Sequence, residues 1–226
     1  TMQLTFIIAI SYLLGAIPSG LLVGKLFFGI DLRTVGSKNM GSTNAFRTLG
    51  WKAGVAVQVL DIAKGIAAVA LARYVFTGNL PFPNMTPFED VTVVCVIAGV
   101  AAVIGHVWTV FARFKGGKGI NTALGMLIAI TPIEVAIAAS IFLLVVLFSG
   151  YVSLGSMIGA VSLPTTMFVR HEVLGVEIQG YHTLIFFIVG LAVFLVYTHR
   201  KNIARLLRGN ENRFNKLRIF SRRREA

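Results

Sequence analysis

Two short polar stretches interrupt an otherwise apolar chain, and both carry residue types that hold a phosphate. The first reads Gly36-Ser37-Lys38-Asn39-Met40-Gly41-Ser42-Thr43-Asn44-Ala45-Phe46-Arg47. Gly36 and Gly41 let the backbone turn tightly and approach an anion. Ser37, Ser42 and Thr43 offer hydroxyls, and Asn39 and Asn44 offer amides. Arg47 offers a planar fork able to grip a phosphate with two parallel hydrogen bonds. A polar turn with a helix cap would use several of the same residues, but the density of donors favours an anion site. The second stretch reads Lys115-Gly116-Gly117-Lys118-Gly119 and heads an apolar segment. There the free N–H groups and the positive end of a helix dipole would add to two lysines. It is not a Walker A loop, which needs glycine where Ala112 stands and Ser or Thr where Gly119 stands.

A third set lies further on. His199 and Asn202 are spaced i, i+3 and share a helix face. Either could bind a hydroxyl or a phosphate, and His199 could act as a base. A basic juxtamembrane stretch explains the same spacing equally well. Ser153 is expected as a helix-start hydroxyl on the same side. Within the apolar segments, Asp61 and Lys64 also stand i, i+3, about 13 Å into a span at 1.5 Å per residue. Charges at that depth are costly, and these read as a pair facing the bundle interior. His106, followed by Trp108, reads as a packed or interfacial histidine. Glu134 and Arg73 read as snorkelling side chains at outer span ends.

Several chemistries lack their residues. No carboxylate follows a histidine at the HxxxxD spacing: the fifth residue after His106 is Phe111 and after His199 is Ala204. There is no GxSxG elbow and no HExxH helix. Cys95 is the sole cysteine, so an internal disulfide is impossible. No metal site and no cofactor are expected.

Composition supplies the frame that must position these groups. Of 226 residues, 56% are hydrophobic and 13% charged, about half the charge of an ordinary soluble domain. The chain therefore reads as one membrane-embedded all-α domain, 1–226. Candidate spans, at about 20 apolar residues each, are 3–28, 53–76, 91–112, 119–131, 133–149, 152–169 and 182–198. Cations crowd 29–52, 113–118 and the tail 199–226, which holds ten Lys/Arg, while 77–90 holds only Glu89 and Asp90. Cation-rich segments belong in the cytoplasm. That puts the N-terminus outside and the C-terminus inside, so the number of spans is odd. Seven, with a hairpin at Thr131-Pro132, satisfies the charges; five, with 150–169 not crossing, also does. Seven is the preferred expectation. The first cation is Lys25, which argues against a cleaved signal peptide. The tail reads as facing anionic lipid rather than nucleic acid.

Taken together, these residues resemble the PlsY family of bacterial acyl-phosphate:glycerol-3-phosphate acyltransferases. The likeness runs through Tyr12 to Gly20, Asp31 to Arg33, Val35 to Arg47, Asp61 to Gly65, Gly105-His106, Phe114 to Gly119 and His199 to Leu207. It implies seven transmembrane helices, an active site at the cytoplasmic face of the bacterial inner membrane, and acyl transfer from acyl phosphate to glycerol 3-phosphate. Lysophosphatidic acid and phosphate would be the products. It also implies that Ser37, Arg47, Lys118, His199 and Asn202 are catalytic. Gly36, Asn39, Gly41, Ser42, Thr43, Asn44, Gly116, Gly117, Gly119 and Ser153 would bind substrate, with 36–44 cradling the acyl phosphate. Thr109 departs from the pattern, standing where proline is common. Whether the enzyme that makes acyl phosphate is a partner stays open.

Overall fold

The computed structural model describes residues 2–78, 80 and 87–213, and every regular element among them is helical. Six helical segments among these residues are long and apolar enough to cross a membrane: Met2–Phe28, Trp51–Val75, Asp90–Ala112, Pro132–Ser149, Val152–Val173 and Tyr181–Thr198. A shorter apolar helix, Ile120–Ile130, accompanies them. At 1.5 Å per residue it reaches about half of a bilayer's hydrocarbon core. The described residues form two compact units that divide at Thr131-Pro132, where the expected interruption ends one helix and starts the next.

The first unit holds helices α1 (Met2–Ala16), α2 (Ser19–Phe28), α3 (Ser42–Thr48), α4 (Trp51–Val75), α5 (Asp90–Val107) and α6 (Ile120–Ile130). The stretch expected as one span over 3–28 is one span-length segment, Met2–Phe28, whose helix is interrupted. Pro18 lacks an N–H and disfavours helical backbone at Ile17, so α1 stops and α2 restarts beyond it. The break takes the carbonyls of Ala16 and Ile17 out of the regular helical ladder, where Ile17 O still accepts the Ser19 N–H at 3.0 Å, and an under-satisfied carbonyl in hydrocarbon is costly. Thr109 Oγ1 donates to Ala16 O, and Lys64 Nζ donates to Ile17 O at 3.0 Å. The threonine that departs from the family pattern thus has a structural use.

Glycines set how closely the helices of this unit cross. On the α1–α5 contact, a Cβ on Gly15 would lie 1.9 Å from Ala102 O, and one on Gly105 would lie 2.1 Å from Tyr12 O. On the α4–α6 contact, Gly65 meets Thr122 O and Gly125 meets Ile62 O with similar closeness. Such backbone-to-backbone packing is how helices associate where lipid removes the hydrophobic drive.

The second unit holds α7 (Pro132–Ser149), α8 (Val152–Phe168), α9 (Tyr181–Thr198) and α10 (Arg200–Leu207). α8 packs on both α7 and α9, and runs on into a wider turn, Val169–Val173. That turn carries Arg170, whose guanidinium donates to Glu134. Glu134 is 2% exposed, so it does not snorkel; the arginine supplies the partner that burial demands. Residues 214–226 of the basic tail and most of 79–86 lie outside the described residues.

Candidate active site

The first polar stretch is built around Asn44. Its side chain is buried at the head of α3 and bonds back into the loop before it. Nδ2 donates to Leu32 O and Val35 O, each at 3.1 Å, and to Asn39 O at 2.9 Å, while Oδ1 accepts the Ser37 N–H at 2.9 Å. Asn39 Oδ1 likewise accepts the Gly41 N–H at 2.8 Å. Both amides, expected among the substrate-binding residues, are engaged in shaping the loop. Gly36 sits at φ +57°, and a Cβ there would lie 2.3 Å from Asn44 Oδ1. The loop is anchored upstream by Asp31, which accepts from Arg33 Nε at 3.0 Å and from a terminal nitrogen of the same guanidinium at 2.7 Å. That guanidinium holds the Asp31 carboxyl well below the usual carboxylate range. Asp31 is the one acid between Gly29 and Lys52, and it is already matched by a cation.

The shape so fixed leaves other groups outward. Ser37, Thr43 and Arg47 are exposed. Ser42 is buried, and its Oγ accepts from Asn121 Nδ2 at 3.0 Å. Asn121 lies in the first turn of α6, two residues after Gly119. The bond ties the head of α3 to the helix that follows the second polar stretch.

The second stretch returns along the end of α5. Gly116 N donates to Val107 O at 3.0 Å, and Gly117 N donates to His106 O at 3.1 Å. Gly119 then takes φ +77° and opens α6, so the first N–H groups of that helix lie beside Lys118. Lys118 is exposed. Among the described residues, neither the Lys118 nor the Arg47 side chain has an ion-pair or hydrogen-bond partner. The same holds for Lys38 and Lys115, and unmatched cations beside glycine backbone are the group types from which phosphate oxygens accept hydrogen bonds.

Beneath the loop lies the buried pair expected at 61 and 64. Lys64 Nζ stands 2.9 Å from Asp61 Oδ1, both nearly inaccessible. His106 joins them, its Nδ1 3.5 Å from Asp61 Oδ1 and 3.2 Å from Thr122 Oγ1. This Asp–His contact spans two helices, so no linear spacing could reveal it.

In the second unit, Ser153 and Asn202 are brought together by a residue that composition counts only as a charge. Glu211 Oε1 accepts from Ser153 Oγ and from Asn202 Nδ2, each at 2.8 Å, and Oε2 accepts from Arg205 Nε. These donors, Arg205 foremost, lower the Glu211 pKa from 4.5 to about 2. His199 sits at the α9–α10 junction with Nδ1 2.9 Å from Leu195 O. An Nδ1–H donating to that carbonyl leaves the Nε2 lone pair free to accept a proton. Among the described residues, no group of three His, Cys, Asp or Glu is placed to hold a metal ion.

Known proteins match almost the whole chain. A family profile described as glycerol-3-phosphate acyltransferase matches residues 5–209. The glycerol-3-phosphate acyltransferase of Chlorobium phaeobacteroides is 47% identical, with 94% of this chain and 97% of that one covered. Its counterpart in Chlorobaculum tepidum is also 47% identical, with 93% and 97% covered. Among solved structures, the glycerol 3-phosphate form of PlsY, an integral membrane glycerol 3-phosphate acyltransferase, superposes with a TM-score of 0.67 at 36% identity, covering 93% of this chain and 95% of that one. The lysophosphatidic acid form gives the same TM-score at 34% identity, covering 93% and 94%.

Proposed function

The chain belongs to the glycerol-3-phosphate acyltransferase family of integral membrane enzymes, and from that premise we propose that it moves an acyl chain from acyl phosphate to the 1-hydroxyl of glycerol 3-phosphate. The observation that carries the reading is the Ser42–Asn121 bond, which ties the first polar stretch to the helix opened by the second, while the side chains of Arg47 and Lys118 have no partner among the described residues.

Acyl phosphate is a mixed anhydride with a good leaving group. The hydroxyl oxygen attacks the acyl carbon, the acyl C–O bond to phosphate breaks, and phosphate departs. The hydroxyl proton passes to a substrate phosphate oxygen or to His199 Nε2. Cations and backbone N–H groups lower the barrier by holding two anions together and by matching the charge that develops on the acyl oxygen and leaving phosphate. No acyl-enzyme is needed. Ser37, Arg47, Lys118, His199 and Asn202 carry the reaction in this proposal, and Gly36, Gly41, Thr43, Gly116, Gly117, Gly119 and Ser153 shape or line the substrate sites. Seven crossings, counting the 119–131 stretch although its helix α6 covers about half of the hydrocarbon core, put the cation-rich segments at the cytoplasmic face of the bacterial inner membrane. Lys118→Ala abolishes turnover in a variant that still unfolds cooperatively in detergent. Turnover near that of the unmodified protein, or an acyl-enzyme trapped on Ser37, would overturn the scheme.

A further inference from the structure

We infer that His106 is a positioning residue for the Lys115–Gly119 loop: its imidazole is the wedge against which Gly117 is seated. This rests on the reading of that loop as part of the substrate site. The ring is 8% exposed and held on its Nδ1 side by Thr122 and Asp61. Asp61 is held in turn by Lys64, which is tethered to the broken helix at Ile17. The Nε2 side meets the loop. A Cβ on Gly117 would lie 2.2 Å from His106 Nε2 and 3.1 Å from both Cδ2 and Cε1. A small cavity lined by Met40, Asp61, Lys64, His106, Thr109 and Gly117 adjoins this contact. One ring therefore links the buried charges to the loop's backbone. Three charged or titratable groups in the apolar interior, otherwise an expense without return, acquire a purpose.

Gly116 makes a different contact. A Cβ there would lie 1.9 Å from His106 O, a backbone atom that every residue at 106 retains. The two neighbouring glycines thus respond differently to the same change at 106, which separates a ring wedge from general damage.

The test is steady-state kinetics in detergent with acyl phosphate and glycerol 3-phosphate, alongside thermal unfolding. A misplacement near 1 Å costs about 100-fold, so Gly117→Ala is expected to lose about that much kcat/KM. Adding His106→Ala to Gly117→Ala removes the clash and recovers about tenfold or more. Adding it to Gly116→Ala recovers nothing. His106→Ala alone raises KM for one of the two phosphate-bearing substrates by about tenfold, with a smaller change in kcat. If His106→Ala does not fold, His106→Asn removes the Nε2 edge, keeps an amide toward Asp61 and Thr122, and gives the same pattern. A Gly117→Ala variant rescued by neither substitution, or equal rescue of Gly116→Ala, overturns the inference. Activity retained in Lys118→Ala would instead overturn the underlying loop assignment, so the two failures are distinguishable.

Discussion

Replacing Asn44 by alanine tests whether the first polar stretch is shaped from within. The amide is 1% exposed and serves three carbonyls and one N–H. Its two hydrogens and one acceptor oxygen amount to about three full hydrogen bonds, each contributing about 1 kcal/mol net. Leu32 O is buried with it, and leaving that acceptor unpaired adds about 1–3 kcal/mol. The loss is about 4–6 kcal/mol, concentrated on residues 32–44 because the glycine crossings of α1, α4, α5 and α6 are untouched. At about 1.4 kcal/mol per factor of ten, such a loss can lower the ordered loop's population by orders of magnitude. The expected result is a fall in kcat/KM of at least about tenfold, with faster proteolysis between Arg33 and Lys38 and little change in helix content. Asn44→Asp keeps the acceptor for Ser37 N–H but turns a carboxylate oxygen toward three carbonyls, so it is no milder. Acyl-transfer rates from purified variants, paired with limited proteolysis, read both effects. An Asn44→Ala variant with a protected loop and activity within about threefold of the unmodified protein would refute the reasoning.

Two further perturbations follow from the geometry. Glu211→Gln removes the charge that binds Ser153, Asn202 and Arg205. Because folding lowers this pKa from 4.5 to about 2, the stability it contributes is complete above pH 4.5 and is lost as pH falls toward 2. Unfolding midpoints of the two proteins should therefore differ above pH 4.5 and converge below it; a constant difference across that range contradicts the assignment. Lys64→Met leaves Asp61 buried without its cation and takes the ammonium donor away from Ile17 O, at a cost of about 3–5 kcal/mol. Asp61→Asn added to it relieves part of that cost, and thermal unfolding showing no relief would contradict the pairing.

What the sequence made legible was local. The apolar runs, the interruption at Thr131-Pro132 and the i, i+3 pairing of Asp61 with Lys64 each depend on residues close in the chain, and each has its counterpart in the structure. The broken first span was also within reach, since Pro18 stands in the middle of it. The contacts made across long separations were not legible. Glu134 meets Arg170 only because α7 and the end of α8 come together, and Asp61 meets His106 only because α4 packs on α5. Donor types alone make Asn44 read as a ligand to substrate, because they do not reveal direction; its side chain bonds into the loop. Glu211 carries one faint signal, a lone acid just after the basic helix α10, and charge counting gives it no special weight.

The acyl donor is what most directly distinguishes this enzyme from other acyltransferases. Purified protein in detergent or lipid, given labelled glycerol 3-phosphate with acyl phosphate, acyl-CoA or acyl-carrier protein in turn, tests it directly. The account predicts lysophosphatidic acid from acyl phosphate alone, with that product lost in Lys118→Ala. Equal product from a thioester donor would contradict the assignment of residues 36–44 as a phosphate cradle.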